Sequence, residues 1–134
     1  MSGNMERVLR LMAEKKASDV YLTCNAPIQI KINGQMLQLS DQALTVEQPR
    51  QLLAELLTPT QLEELDELGE LNMGIGLPGI GSFRLSAFRQ RGSLAAVFRC
   101  IPPDIPTLDS LKLPPILNTM ILEKRGLILL AGAT

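Results

Sequence analysis

The stretch Ser82–Ile101, which reads SFRLSAFRQRGSLAAVFRCI, decides the fold of this chain. Two runs of alternating side chains, Ser82–Arg91 and Ser93–Ile101, lie on either side of Gly92. Such alternation on both sides of a glycine predicts a β-hairpin. We therefore expect a long antiparallel pair of strands, and we expect the other strands of the domain to extend the same sheet.

Four more strands are predicted on the N-terminal side of this hairpin. Asn33-Gly34, the strongest short signal for a two-residue hairpin turn, separates two of them. The four segments are Asp19–Cys24, Ile28–Ile32, Gln35–Leu39 and Leu71–Leu77. With the hairpin, they predict an antiparallel sheet of about six strands.

Three helices are predicted in the same region from apolar residues at helical spacing. The segments are Met5–Lys16, Val46–Leu57 and Thr60–Leu68. Asn4 is expected to cap the first helix, and Pro59 fits the start of the third. Thr45 and Gln48 have the spacing of a capping box for the second. The predicted fold class is therefore α/β, in the α+β sense of an antiparallel sheet with flanking helices.

A proline-rich segment, PPDIP at residues 102–106, is expected to be a stiff linker. The predicted division is 1–101 for an N-terminal domain, 102–106 for the linker and 107–134 for the start of a second domain. A short helix over Ile116–Glu123 and an apolar strand from Leu127 are expected in that last part.

Composition argues against several classes of function. The 134 residues carry 13 basic and 14 acidic side chains, and a net charge of −1 argues against a nucleic-acid binder. The chain has no histidine, the usual metal ligand and general base at neutral pH, and no metal site is predicted. Reduced thiols of a cytosolic protein are favoured over a disulfide for Cys24 and Cys100. No apolar run is long enough to predict membrane insertion.

Two arginines of the hairpin are the strongest candidates for a binding site. Arg84 and Arg99 each follow a phenylalanine, and a turn near Gly92 brings them roughly opposite each other. Strand alternation then puts Phe83 and Phe98 on one face and both arginines on the other. Paired guanidinium groups repel unless an anion lies between them, so the pair suggests phosphate recognition. The alternative from spacing alone is a solvated outer face of the sheet.

The last residues suggest a second phosphate-binding element. An apolar run, Leu127–Ala131, leads into Gly132-Ala133-Thr134. An apolar strand that ends in glycine is how a phosphate-binding P-loop, G-x-x-x-x-G-K-[ST], begins. We therefore expect the chain to be the N-terminal part of a longer nucleotide-handling protein. The other interpretation is an ordinary buried strand that ends in glycine.

Three segments taken together carry a family resemblance. They are ASDVYL at 17–22, GIGSFRLSAFRQR at 79–91, and LKLP at 111–114 with KRGLILLAGAT at 124–134. In order and spacing they resemble the N-terminal half of the type IV pilus retraction ATPases of the PilT/PilU family, in the type II/IV secretion ATPase superfamily. Ser86-Ala87-Phe88 and the final Gly-Ala-Thr look closer to PilU. Tyr21 and Ser82 depart from the family, which commonly has histidine and arginine there.

The resemblance implies roles for the candidate residues. Arg84 and Arg99 match family arginines that reach the γ-phosphate of the nucleotide. Arg89 and Arg91 are weaker candidates, because the face on which each lies depends on the strand register. The start of the nucleotide-binding P-loop is matched by Gly132, Ala133 and Thr134.

The resemblance also implies a setting for the whole protein. It implies a hexameric motor with a PAS-like N-terminal domain and a RecA-like domain that uses ATP and Mg²⁺, whereas this chain alone is expected to hold no cofactor and to be inactive. The implied partners are further copies of the protein, the inner-membrane platform of the pilus and related motor ATPases. The implied location is cytoplasmic and peripheral to that machinery, where the motor would drive pilus retraction and twitching motility.

A hypothesis from another class stays open at this point. A PAS-like sensor or adaptor would bind a small ligand or a protein partner without phosphate chemistry. It would need an internal pocket, whereas the ATPase hypothesis needs exposed, paired arginines.

Overall fold

The computed structural model describes residues 3–133, and residues 19–101 contain a six-stranded antiparallel sheet. In chain order the strands are β1 (Asp19–Leu22), β2 (Gln29–Ile32), β3 (Gln35–Gln38), β4 (Glu70–Leu77), β5 (Gly81–Gln90) and β6 (Ser93–Ile101). Across the sheet they lie in the order β3-β2-β1-β6-β5-β4. Every neighbouring pair is antiparallel, so the predicted α/β class with a six-stranded antiparallel sheet is confirmed.

Two-residue turns set the register of both tight hairpins. The φ angles are 49° at Asn33 and 79° at Gly34, and 49° at Arg91 and 82° at Gly92. Positive φ at both central residues is what a type I′ turn requires, and the twist of that turn matches the twist of the strands. The predicted turn at Asn33-Gly34 is therefore confirmed, and the turn at Arg91-Gly92 pairs Gln90 directly with Ser93.

Helices cover one face of the sheet. They are α1 (Asn4–Glu14), α2 (Gln48–Ala54) and α3 (Pro59–Leu68). Alternate strand residues and one side of each helix share a single core, which includes Val20, Leu22, Phe83, Leu85 and Phe98 from the strands and Met5, Leu9, Met12, Leu53 and Leu65 from the helices. The alternation leaves the intervening strand residues on the other, open face, which carries Asp19, Arg84 and Arg99.

The cap predicted for α1 is wrong. Asn4 is the first helical residue, and the N-cap position belongs to Gly3, which makes no side-chain hydrogen bond. Instead, the backbone N–H of Met5 donates to Oε2 of Glu55, 50 residues away, at 2.8 Å. A carboxylate from the end of α2 thus accepts from a backbone N–H in the first turn of α1. Its negative charge also interacts favourably with the positive end of the helix dipole.

The next two helices differ in how well their starts were predicted. α2 is shorter than Val46–Leu57, and its N-cap is Glu47 rather than Thr45, although Gln48 Oε1 still accepts from the Thr45 N–H at 2.7 Å. α3 begins at Pro59 as predicted, and behind it Thr58 forms a full capping box with the third helical residue. Because both halves of that box are local in sequence, α3 has the better defined beginning.

The chain divides into two compact units, of which the first ends at Pro103 and the second begins at Asp104. Residues 104–133 of the second contain one short helix, α4 (Leu117–Met120), within the longer segment predicted for it. The strand predicted over Leu127–Ala131 is not formed, and Leu127 and Leu130 are 81% and 85% exposed. A strand needs a hydrogen-bonding neighbour, and no other segment of the described residues 104–133 pairs with this one.

Candidate functional site

A row of charged residues crosses the open face of the sheet. The register pairs Arg84 of β5 with Arg99 of β6, and Arg99 in turn with Asp19 of β1. Asp19 is also paired with Lys31 of β2. Directly opposite residues of antiparallel strands have side chains on the same face, about 5 Å apart at Cβ. The predicted pairing of the two arginines is therefore confirmed as geometry, and a carboxylate lies beside them.

Asp19 and Arg99 form an ion pair in this row. The Nε–H of Arg99 donates to Oδ1 of Asp19 at 3.3 Å. Asp19 is the only buried charged residue among those that the structure describes, with 6% of its surface exposed. The side chain of Arg99 is 72% exposed, so the pair joins a buried carboxylate to a guanidinium in solvent.

Arg84 has a different environment. It is exposed and forms no ion pair within the described part of the chain. On its other side the register places Gly74 of β4, which carries no side chain and has open space where a Cβ would stand. Arg84 therefore has a like charge, Arg99, on one side and open space at Gly74 on the other. A bound anion would stabilise this arrangement.

The weaker candidates do not join this pair. Arg89 has the strand parity of Phe83, on the helix-covered face, and its Nη2 donates to the backbone carbonyl of Asp66 in α3 at 3.1 Å. Arg91 lies in the turn of the hairpin, at the far end of β5 from Arg84. The structure therefore brings together two of the four hairpin arginines.

The candidates at the C-terminus lie in the second unit. Gly132 and Ala133 are exposed and have no regular secondary structure, and Thr134 lies outside the described residues. Their part in a P-loop stays a prediction, because the motif needs residues that follow them.

Asp19 is the residue that sequence reasoning missed at this site. It was placed at the start of a strand, but its neighbour Arg99 is 80 residues away. The one signal in the sequence is that Asp19 opens a largely apolar strand, and a carboxylate buried there needs a cation beside it. The order of the strands, which places β1 beside β6, was needed to name that cation.

A depression at the turn end of the β5–β6 hairpin has a volume of about 370 Å³. Cys24 and Ser93 both line it, and Cys24 Sγ lies 3.0 Å from Ser93 Oγ. It is a surface feature rather than the internal pocket that a sensor domain would need. The interior between the sheet and the helices is instead filled by side chains such as Phe83 and Phe98, which are fully buried.

Metal-binding clusters and membrane-spanning helices are both absent from residues 3–133. That range contains no group of three or more carboxylate or thiol side chains placed to hold a metal ion. None of its helices combines the length and apolar character needed to cross a membrane.

Solved structures and known sequences define the class of protein. The fold matches the crystal structure of the pilus retraction motor PilT with bound ADP, with a TM-score of 0.73 and 30% identity over 87% of this chain and 34% of that one. The sequence is 42% identical over 129 residues to the type IV pilus ATPase PilU of Pseudomonas aeruginosa, which covers 96% of this chain. It is 28% identical over 131 residues to the type IV pilus retraction ATPase PilT of the same organism, which covers 98% of this chain. No family model matches.

These matches place the chain with the N-terminal region of the type II/IV secretion ATPase superfamily. Within that class, the predicted resemblance to the pilus retraction ATPases PilT and PilU is confirmed. The chain spans 34% and 38% of the lengths of these two curated relatives.

Proposed function

We propose that this chain is the N-terminal domain of a pilus retraction ATPase and that Arg84 and Arg99 bind the γ-phosphate of ATP. The observation that carries the proposal is the direct pairing of two exposed arginines on one sheet face. A guanidinium fork matches phosphate oxygens bidentately, and an arginine on a transferring phosphoryl group stabilises its charge. The structure of PilT with bound ADP supports nucleotide use in a related protein.

In this proposal Arg84 and Arg99 of the sheet face contact the γ-phosphate, and Gly132, Ala133 and Thr134 begin the P-loop of the ATPase domain. The domain runs over residues 1–101, and the segment 102–106 links it to the ATPase domain that starts at 107. While the γ-phosphate is present, the two arginines attach the domain to it. After hydrolysis and phosphate loss that attachment ends, and the domain can rotate as a rigid body about the linker.

The rest of the proposal concerns the whole protein. It would assemble as a homo-hexamer in the cytoplasm beside the inner-membrane pilus platform, and rotation in the ring would drive pilus retraction and twitching motility. Mg²⁺ would accompany ATP in the P-loop domain, where the Ser/Thr hydroxyl of the motif holds it. By itself the present chain is expected not to hydrolyse ATP, because the P-loop lysine is not part of it.

The test is ATP turnover of the full-length protein with Arg84→Gln. This variant removes one guanidinium from the pair and breaks no ion pair of the described residues. Loss of an arginine on a transferring phosphoryl group costs on the order of 10³ in rate, and we expect kcat to fall by that order. Arg91→Asn is the matched control, because it removes a charge from the same hairpin and asparagine tolerates positive φ.

Arg99→Lys tests the second arginine without leaving Asp19 unpaired, since the positive charge is kept. Lysine offers a point charge in place of a bidentate fork, and kcat should fall while the fold is retained. Wild-type turnover in both Arg84→Gln and Arg99→Lys would refute the phosphate-binding role.

A further inference from the structure

The buried carboxylate in the charged row calls for an explanation beyond packing. Moving a carboxylate out of water is unfavourable unless it is paired and hydrogen-bonded. Asp19 is buried although it lies on the open face, and it is the only charged side chain so buried among the described residues. Its partner Arg99 is one of the two arginines proposed to bind phosphate.

The atoms used in this ion pair matter. A guanidinium presents five N–H donors, and Asp19 takes the one on Nε, at 3.3 Å. Within the described part of the chain, the terminal nitrogens of Arg99 make no hydrogen bond, and 72% of its side chain is exposed. Asp19 therefore holds the Nε side of the Arg99 guanidinium, while the terminal nitrogens are free to bind another group.

We propose that Asp19 is a positioning residue for Arg99: it binds the Nε edge and so holds the terminal nitrogens ready for the γ-phosphate. It also supplies a negative charge beside two adjacent arginines, so that the pair is tolerated when no nucleotide is bound. This inference rests on the proposed function, because it assumes that Arg99 contacts phosphate.

A competing role for Asp19 predicts a change in ATP turnover of the opposite sign when Asp19 is removed. If Asp19 only competes with phosphate for Arg99, its removal makes the site more positive, and nucleotide binding and turnover improve. If Asp19 orients Arg99, its removal lowers turnover even though the charge now favours the anion. The sign of the effect therefore separates orientation from charge.

The experiment compares steady-state ATP hydrolysis by full-length wild type, Asp19→Asn and Asp19→Ala. Asparagine keeps an oxygen that accepts from Nε–H, whereas alanine keeps none. Misplacement of a reacting contact by about 1 Å can cost about 10²-fold, so we expect kcat of Asp19→Ala to fall about 10- to 100-fold with little change in KM. The Asn variant should lie between alanine and wild type, which amounts to partial rescue by the conservative change.

Glu70→Gln is the matched control. Glu70 lies on the same open face of the sheet, opposite Phe88 at the start of β4, and it forms no ion pair with the other described residues. Its substitution removes the same charge from the same face without touching Arg99, and kcat should stay at the wild-type value. An equal loss in Glu70→Gln would overturn the inference, because it would trace the effect to the charge of the whole face.

A double-mutant cycle keeps the inference testable if the alanine variant folds poorly. In an Arg99→Gln background there is no guanidinium to orient, so adding Asp19→Asn should change kcat by less than about twofold. A loss as large as in the wild-type background overturns the inference, as does a kcat of Asp19→Asn at or above wild type. If Arg84→Gln and Arg99→Lys also keep wild-type kcat, the proposed function itself fails. If Arg84→Gln loses activity and the Asp19 variants do not, only the positioning role fails.

Discussion

The two paired arginines should differ sharply in what they contribute to stability. Arg84 is exposed and has no ion pair within the described residues, whereas Arg99 is bound to a carboxylate that is only 6% exposed. Arg84→Ala removes one of two adjacent like charges, so the free energy of unfolding should stay within about 0.5 kcal/mol of wild type. Arg99→Ala leaves the carboxylate of Asp19 buried without its partner.

The magnitude for Arg99→Ala follows from the mixed burial of the pair. Breaking a fully buried ion pair costs about 3–5 kcal/mol, because an uncompensated charge is left in the interior. Here the arginine side chain is 72% exposed, and its removal lets water reach Asp19. A cost of about 1–3 kcal/mol, that of leaving a buried polar group unsatisfied, is therefore expected. For a domain near 100 residues this lowers Tm by roughly 4–8 °C per kcal/mol.

Urea denaturation of the 134-residue chain measures both variants on the same scale. A second comparison adds Asp19→Asn to the Arg99→Ala variant. We expect the double variant to be more stable than Arg99→Ala alone, because a neutral amide is less costly to bury than a lone carboxylate. The reasoning is refuted if Arg99→Ala and Arg84→Ala unfold at the same urea concentration, or if Asp19→Asn destabilises the Arg99→Ala variant further.

Three further predictions concern the scaffold. Gly34→Val should destabilise the chain by about 1–2 kcal/mol, since Gly34 has a φ of +79°, while Gly74→Val, at a site without positive φ, should cost less in the same thermal melt. Thr58→Ala removes the side-chain half of the α3 capping box and should cost about 1 kcal/mol in urea denaturation; an unchanged midpoint would contradict that cap. The hydrogen bond from Arg50 lowers the pKa of Asp66, so this pair stabilises the fold at a pH above the ordinary pKa of an aspartate. The contribution is lost as pH falls through the lowered pKa of the folded state. Arg50→Gln should therefore flatten the acid limb of Tm against pH, and an unchanged limb would contradict this.

The hairpin that carries the site could be predicted from sequence because its determinants are local. A turn at Arg91-Gly92 fixes the register of β5 on β6, and that register alone places Arg84 opposite Arg99. Alternation then assigns the faces, and Phe83 and Phe98 are indeed fully buried. Turn chemistry and a period of two act over a few residues, so one sequence was enough.

The features that were missed depend on contacts between distant parts of the chain. The acceptor for the first turn of α1 is Glu55, and the partner of Arg99 is Asp19, 80 residues away. Neither follows from spacing, because each requires the order in which helices and strands pack. The strand predicted at Leu127–Ala131 does not form for a related reason: β structure needs a neighbouring strand, and residues 104–133 contain none.

The composition of the charged row bears on which anion it would accept. Lys31, Asp19, Arg99 and Arg84 lie side by side in register, so three cations share one carboxylate on a chain whose net charge is −1. The carboxylate occupies the β1 side of Arg99, and the unoccupied positive charge is concentrated toward Arg84 and the open space at Gly74. An anion that binds there accepts hydrogen bonds from the terminal nitrogens of Arg99 and from the guanidinium of Arg84 together. This requirement favours a multivalent group with several oxygens over a monovalent ion. A terminal phosphate meets that requirement, and its loss as inorganic phosphate would leave Asp19 as the one counter-ion on the row.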